Sequence, residues 1–516
     1  MIFLSILILI VAIALPSINQ NIRSILYVRI SSIIFIYAGA LAFNAFYIQS
    51  IGSGIGVYSG LFQVTTISQL LDVFILLIGS LILISWPSKY IFSTSGGNNN
   101  TYTDKIPYAG EYSLIVLFST FGASLLVSSA DLISMYLSIE LQSFGVYILS
   151  TLYRDSESAT SAGLKYFLLG SLSSCIILLG SGLVYTYSGL TNLESIYNLI
   201  SVSENTQILQ GLSLGIVLII IGYLFKVSAA PLHNWAPDVY DDSPTIVTIW
   251  LTIMPKISIL IFLLEIQSQI GNSLLTIFSF SLKNLLLISS LLSLLIGTIV
   301  GLAQSRIKRL LAYSTISHIG FILLALAINT EQAIDSFLFY IIQYSITNLN
   351  TFLVIIALGY IIKNNSQSIL GSFQDIKYIT ELKGLFFNNP LLSLSLTICL
   401  FSMAGVPPLL GFFSKQFVLY SAMQSEYYFI GIIAILVSVI SASYYLKIIK
   451  VLHSTEPSDI NKEIIEDSKN NLSAPTLGGV HSFMISTLTL FILFFILKPS
   501  ILLNSTQLLS LSLFNC

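Results

Sequence analysis

Charged residues make up only 9% of this 516-residue chain, against roughly 25% in soluble domains, and that scarcity excludes a water-soluble globule. The charge that remains is nearly balanced, at a formal net of -2. No basic tract leaves the footprint of a nucleic-acid binder, so nucleic acid is set aside as a partner. Cysteine is scarce as well. Cys175, Cys399 and Cys516 stand far apart with no CxxC pair, which argues against a disulfide framework or an iron–sulfur cluster and leaves them as small apolar fillers. A GxGxxG fingerprint, a P-loop and a metal-ligand cluster are all missing, so no redox, nucleotide or metal chemistry is encoded here.

What is present is apolar sequence in long runs. Hydrophobic residues reach 55%, and about 20 such residues in a row cross a bilayer core. About fourteen segments qualify, near positions 1–19, 25–49, 69–93, 112–129, 131–152, 162–187, 210–234, 244–267, 280–303, 310–329, 333–362, 389–422, 427–452 and 481–503. The first lacks the basic n-region and small-residue cleavage site of a signal peptide, so it reads as a span. Alternate loops test the count, because positive residues gather on one side of a membrane. One set of loops holds fourteen Lys and Arg residues, among them Arg306, Lys308 and Arg309, whereas the other holds only Lys283 and Lys498. That segregation predicts an even number of spans, with both termini opposite the basic loops. Abundant Ile, Ser, Tyr, Phe and Asn suggest an AT-rich organellar gene.

Against this background a few charges lie deep in apolar runs. Glu140 sits in YLSIELQSFGVYIL, Lys226 in GLSLGIVLIIIGYLFKVSAA, and Lys165, Lys256 and Lys415 in other spans. Each costs roughly 2.5–3.5 kcal/mol at mid-membrane, so five unpaired groups would cost on the order of 10–15 kcal/mol, comparable to a fold's whole stability. Such residues are functional candidates by default. Two spans are also interrupted: Pro231 and Pro237 follow Lys226, and Gly405, Pro407 and Pro408 precede Lys415. Proline removes a donor and clashes with the preceding turn, so each helix should break near mid-membrane. Broken helices in corresponding positions point to an inverted-repeat transporter. The expected architecture is an all-α polytopic membrane protein with two five-helix repeats, spans 4 to 8 and 9 to 13. Its divisions would be an N-terminal three-helix segment at 1–111, repeats at 112–267 and 268–452, and a polar loop with the last span at 453–516. Ordinary proline kinks are the plainer alternative.

Three stretches carry a resemblance: FKVSAAPLHNWAPDVYDDSPTIVT at 225–248, RIKRLLAYSTISHIGFIL at 306–323 and FSMAGVPPLLGFFSKQFVL at 401–419. They resemble the antiporter-like subunits of respiratory complex I and their relatives in multisubunit cation/proton antiporters, and the likeness extends over nearly the whole chain. Glu140, Lys165, Lys226, Lys256 and Lys415 match the family's charged positions on its fifth, sixth, seventh, eighth and twelfth helices. Lysine at 256 and at 415 is similar to the subunit 2 branch. Departures are small: Leu232 stands where the family often has phenylalanine, and Asp241 and Asp242 occupy a turn often written Glu-Gly. The resemblance implies a proton-translocating module in the mitochondrial inner membrane, with NAD, FMN, iron–sulfur clusters and ubiquinone handled by partner subunits. Other membrane-arm subunits, including further antiporter-like ones, and membrane lipids would be its neighbours.

A carboxylate beside a buried lysine favours its charged form, and separation favours proton release, which makes such a pair a switchable proton holder. The expected relay runs from an intake group of Glu140, Lys165 and Lys226, through Lys256, to Lys415 as the exit. His318 has two readings, a bridge between relay lysines or a satisfied core histidine. His233 likewise either extends the path or caps the broken helix. Asp72, Asp131 and Glu265 read as interfacial, and the loops at 363–388 and 453–480 as solvated connections that could dock neighbours. A sodium/proton antiporter subunit, a stand-alone solute carrier and a purely structural assembly subunit are the rival functions.

Overall fold

The computed structural model describes residues 1–15, 24–48, 54–84, 109–153, 156–203, 206–270, 282–365, 375–454 and 478–514. The basic residues Arg23, Lys89, Lys105, Arg154, Lys462 and Lys469, and most of the 453–480 connection, lie outside the described residues. Within them the chain is almost wholly helical. Three helices form the N-terminal segment: α1 Ile2–Ala14, α2 Ser24–Ile48 and α3 Thr66–Ile84. The first half continues with α4 Ala109–Val127, α5 Leu132–Thr151, α6 Glu157–Ser188, α7 Leu193–Val202, α8 Thr206–Val227, α9 Trp235–Asp242 and α10 Thr245–Ile270. The second comprises α11 Leu282–Leu302, α12 Ile307–Ile328, α13 Glu331–Asn365, α14 Leu385–Asn388, α15 Pro390–Ala404, α16 Leu410–Gln424 and α17 Tyr428–His453. Helices α18 Gly479–Phe494 and α19 Ser500–Phe514 close the described chain.

Among the described residues, twelve helices are long and apolar enough to cross a bilayer. Adding the shorter α1 and the α15–α16 pair recovers the expected fourteen spans. Two features were not legible as spans. Residues 55–64 form a small antiparallel hairpin, Ile55–Val57 with Phe62–Val64, tied down by Gln63 N–H to the Ser128 carbonyl at 2.8 Å. Helix α7 lies between spans, capped by the Asn192 side chain on Ser195 N–H. Asp131 is not a free interfacial charge: it caps α5, accepting from Ile133 N–H at 2.9 Å, which satisfies a donor at the helix's positive end.

The molecule's centre is set by α10, α12 and α13. Nearly every residue of the spans Thr245–Ser268 and Ile307–Ile328 is buried, and hydrophobic residues lie on every side of each of these helices, the sequence signature of a core membrane helix. Helices α2, α6, α17 and α18 instead carry exposed rows, such as Leu164, Leu168 and Leu172 on α6 and Ile432, Leu436 and Val439 on α17. Serines along the spans mostly return their hydroxyl to a carbonyl three residues earlier, as Ser290 and Ser314 do, so they enter the apolar interior already bonded.

Both expected interruptions occur, in the seventh and twelfth spans. Helix α8 stops at Val227, Ser228 takes φ 66°, and α9 starts seven residues beyond. Pro231 lies in the break, joined by a cis bond to Ala230. Pro237, also expected to break the helix, instead sits in the first turn of α9, where no backbone donor is needed. Helix α15 ends at Gly405, φ 88°, and Pro407 and Pro408, joined by a cis bond, separate it from α16. The two halves cross closely at Gly411: its N–H reaches Ser402 Oγ at 3.2 Å, and a Cβ there would collide with the Ser402 carbonyl.

Candidate functional site

Helix geometry brings four of the five expected charges into the interior in a row. The first station is an ion pair, Lys226 Nζ to Glu140 Oε1 at 2.9 Å, with both side chains largely buried. Lys226 also donates to Ser143 Oγ at 2.8 Å; Ser143 is three residues along α5 from Glu140, so both face one groove. Because α8 ends one residue later, the ammonium stands at a helix C-terminus, whose partial negative charge favours a cation.

Next to this pair lies a cavity lined by Gln142, Ser143, Tyr147, Lys226, Trp235 and Pro255, with about 20 Å³ open to the centre of a water molecule. That is room for one water, which Gln142, Ser143 and Lys226 in an otherwise largely apolar lining could hold. Gln142 spans from the cavity to α10, where its amide exchanges two hydrogen bonds with Ser258 at 2.8 and 3.1 Å. Lys256 is two residues from Ser258 and only 1% exposed. Its ammonium reaches Thr315 Oγ1 at 3.3 Å and lies 5.3 Å from the Tyr240 ring. Among the described residues no carboxylate pairs with it.

Helix α12 carries the row onward. Thr315, His318 and Phe321 recur every three residues, so they share one face and cover about 9 Å of helix axis. His318 lies between hydroxyls, with Nδ1 2.8 Å from Tyr340 Oη and Nε2 3.3 Å from Tyr445 Oη. Phe321 ends the run with its ring 5.7 Å from Lys415 Nζ. His318 is therefore both a bonded core histidine and the group standing between Lys256 and Lys415.

Lys415 has no acid partner among the described residues. The helix break holds it: its ammonium donates to the carbonyls of Met403 and Ala404 at 2.8 and 2.9 Å, the last two carbonyls of α15, which have no partner within the helix. Gly405 permits that approach, since a Cβ there would press on Lys415 Cδ at 3.1 Å. Both breaks thus do the same work, presenting the negative end of an interrupted helix to a lysine, although Lys226 precedes its break and Lys415 follows its own.

Lys165 departs from expectation. It does not join Glu140; its side chain is 53% exposed, and Nζ lies 3.4 Å from Asp238 Oδ2. Helical phase explains this. The face of α6 turned toward α5 carries Ala162, Tyr166 and Gly170, with Tyr166 stacked on Trp235 at 4.5 Å, so Lys165 points outward beside Leu164 and Leu168. His233 is buried next to Tyr313, ring centroids 6.4 Å apart, with no hydrogen bond to a row lysine among the described residues. Sequence reasoning missed Gln142, Ser143, Ser258, Thr315, Tyr340 and Tyr445. Polar residues at three- and four-residue spacing inside apolar spans were the available signal.

Comparison with known proteins now decides the family. Residues 129–441 match the family described as NADH:quinone oxidoreductase/Mrp antiporter, transmembrane, and the chain is 53% identical over its full length to the full length of NADH-ubiquinone oxidoreductase chain 2 of Rhizopus oryzae. The chain belongs to this antiporter-like family. It is also similar to NADH-quinone oxidoreductase subunit N of Wolbachia sp. subsp. Brugia malayi, at 43% identity over 67% of this chain and 70% of the relative. Two solved structures share the antiporter-like fold: a chain of respiratory complex I from Thermus thermophilus, TM-score 0.71 at 24% identity, covering 98% of this chain and 99% of that one, and a chain of the Mrp complex from Dietzia, TM-score 0.77 at 18% identity, covering 99% and 96%.

Proposed function

We propose that this chain is the proton-translocating antiporter-like subunit of a respiratory complex I, coupling electron transfer from NADH to ubiquinone in partner subunits to proton movement through its own interior. The carrying observation is the buried succession Glu140–Lys226, Lys256, His318, Lys415: Lys226 and Gln142 line one cavity, Gln142 bonds Ser258 beside Lys256, Lys256 bonds Thr315, and His318 and Phe321 share the Thr315 face of α12, with the Phe321 ring beside Lys415. Glu140 and Lys226 form the intake pair, Lys256 and His318 the central relay, and Lys415 the exit. Lys165 takes no part in that succession.

The energetics suit a pump. An ion pair near 4 Å is worth about 4 kcal/mol at an effective dielectric of about 20, and moving a charge through 100 mV costs about 2.3 kcal/mol. Opening and closing one buried pair is thus of the size needed to drive a proton uphill. Residues 112–267 and 268–452 act as two repeats, each contributing one broken helix. NAD, FMN, iron–sulfur clusters and ubiquinone belong to partner chains, and the apolar outer rows of α6 and α17 face neighbouring membrane-arm subunits and lipid. The site of action is the mitochondrial inner membrane, with both termini on the intermembrane-space side; the full-length similarity to a mitochondrial complex I chain supports that reading over a sodium/proton antiporter.

The test is Lys226→Ala in the assembled complex, reading ubiquinone-reductase turnover and proton pumping together. Loss of both is expected, and wild-type values for both would reject the assignment. Copurification of flavin and iron–sulfur partners separates complex I from an antiporter assembly.

A further inference from the structure

On the face that carries the basic loops, a second set of charges lies outside the proton row. The first turn of α12 opens with Arg306, Lys308 and Arg309, three cations at the end of a helix where the backbone dipole disfavours them. A bias of positive charge toward one side of the membrane would account for their presence but not for their contacts. Each meets an acid. Arg306 Nη1 lies 2.8 Å from Asp241, and Arg309 Nη2 2.9 Å from Asp238; both acids belong to α9. Lys308 is only 4% exposed, and its ammonium is held by Asp375 at 2.6 Å and by the Ser243 carbonyl at 2.9 Å.

Asp375 completes the arrangement from a distant part of the chain. Ile307 N–H bonds the Lys377 carbonyl at 3.0 Å, and Ile379 N–H bonds the Ser305 carbonyl at 3.1 Å. That pairing sets the segment against the start of α12, and the 375–388 part of the connection read as solvated is docked on the protein, with Ile376, Ile379, Leu382 and Leu385 buried. The Asp375 carboxylate then accepts from both the backbone N–H and the hydroxyl of Thr245. Burial works against its charge, but Lys308 and Thr245 hold its carboxyl below the usual carboxylate range. One ion pair therefore places a cation on the carbonyl end of α9 and an anion on the amide end of α10, the two signs those ends favour.

We propose that Lys308 and Asp375 are positioning residues that lock α9, the half-helix beyond the first break, to α12, so that movement at the Lys226 break is transmitted to Thr315 and His318. The inference rests on the proton-relay reading above. Among the described residues, the start of α12 bonds α9 through Arg306, Arg309 and Lys308, whose ammonium also lies 3.5 Å from the Asp241 carbonyl, and the same helix carries the relay face. A change in the first repeat thereby reaches the Lys256–Lys415 interval without any contact between Lys226 and Lys415.

The experiment uses the whole complex in its native membrane, with Asp375→Asn, Lys308→Met, Asp375→Glu and Lys308→Arg, and with Lys226→Ala alongside. Turnover and protons per electron are normalised to the flavin of assembled complex. The neutral variants should lower proton-coupled turnover about threefold or more, within the range of coupling carried by such networks, while the charge-preserving variants recover most of it. Should the neutral variants not assemble, Arg309→Gln, which removes an outer tether only, should show a smaller loss of the same kind. Wild-type pumping in the neutral variants, or in Arg309→Gln where those do not assemble, overturns the lock, and faster amide exchange of α9 with unchanged pumping would mark it as merely structural. If Lys226→Ala also pumped normally, the relay itself would be at fault rather than the lock.

Discussion

Single side chains show how a charge is kept in an apolar interior without a counter-charge. Lys415 has two carbonyls from a broken helix in place of a carboxylate, and Gly405 is the residue that leaves it room. Gly405→Ala should therefore act through Lys415. The left-handed φ of 88° costs a non-glycine residue roughly 1–2 kcal/mol, and the added Cβ presses on the lysine stem. The complex should still assemble, with pumping reduced toward that of Lys415→Ala; unchanged pumping would mean the ammonium does not need those carbonyls. At the basic face, Asp242 behaves oppositely to Asp375. Burial pushes its carboxyl up, Asp241 and Asp238 add to this, and Lys165 and Arg306 oppose it. A carboxyl whose folded-state value is raised weakens the fold while ionised, above that value, and the strain is relieved as pH falls through it. Asp242→Asn should thus raise the thermal-inactivation midpoint of the complex at pH 8, and the difference should shrink on acidification. A lower midpoint at pH 8 would contradict the sign.

At the scale of helices, the breaks depend on close crossings, and two glycines offer a contrast. A methyl group at Gly411 would collide with the Ser402 carbonyl, a backbone atom that cannot swing aside, whereas one at Gly182 on α6 would meet nothing within 4 Å. Gly411→Ala should force α15 and α16 apart and reduce the amount of assembled complex. Gly182→Ala should be tolerated, with a gain of roughly 0.5–1 kcal/mol from lost chain freedom, and equal assembly of the two variants would show that the crossing is not tight. The breaks themselves were legible in sequence because proline and glycine act locally, and Lys226, Lys256 and Lys415 were legible because a charge in an apolar run has few explanations. The partner of Lys165 was not. An α6 that is apolar all round gives no phase from which to tell its inward face, and the answer came from tight packing of Tyr166 and Gly170 against Tyr147. Asp375 was equally hidden, since its bond to Thr245 joins residues 130 positions apart. Nothing local in the 363–388 connection separates a docked acid from a solvated one.

Across the whole molecule, the proton row makes a claim about order that single substitutions do not reach. Lys226 and Lys415 are on different halves of the chain and share no hydrogen-bond partner among the described residues; Lys256, Thr315 and His318 stand between them. Substitutions at sites that far apart ordinarily add in free energy. Were the two lysines independent sources of activity, the fractional losses in Lys226→Ala and Lys415→Ala would multiply in the double variant. A serial relay behaves differently, because once one link is cut the proton no longer reaches the other, and groups that act as a unit are strongly non-additive. The double variant should therefore pump within about twofold of the worse single variant, while its loss of thermal stability is still the sum of the two. Measuring both quantities on the same preparation separates the cases: multiplied losses in pumping would make the two broken helices separate devices, and non-additive pumping with additive stability makes them two ends of one path.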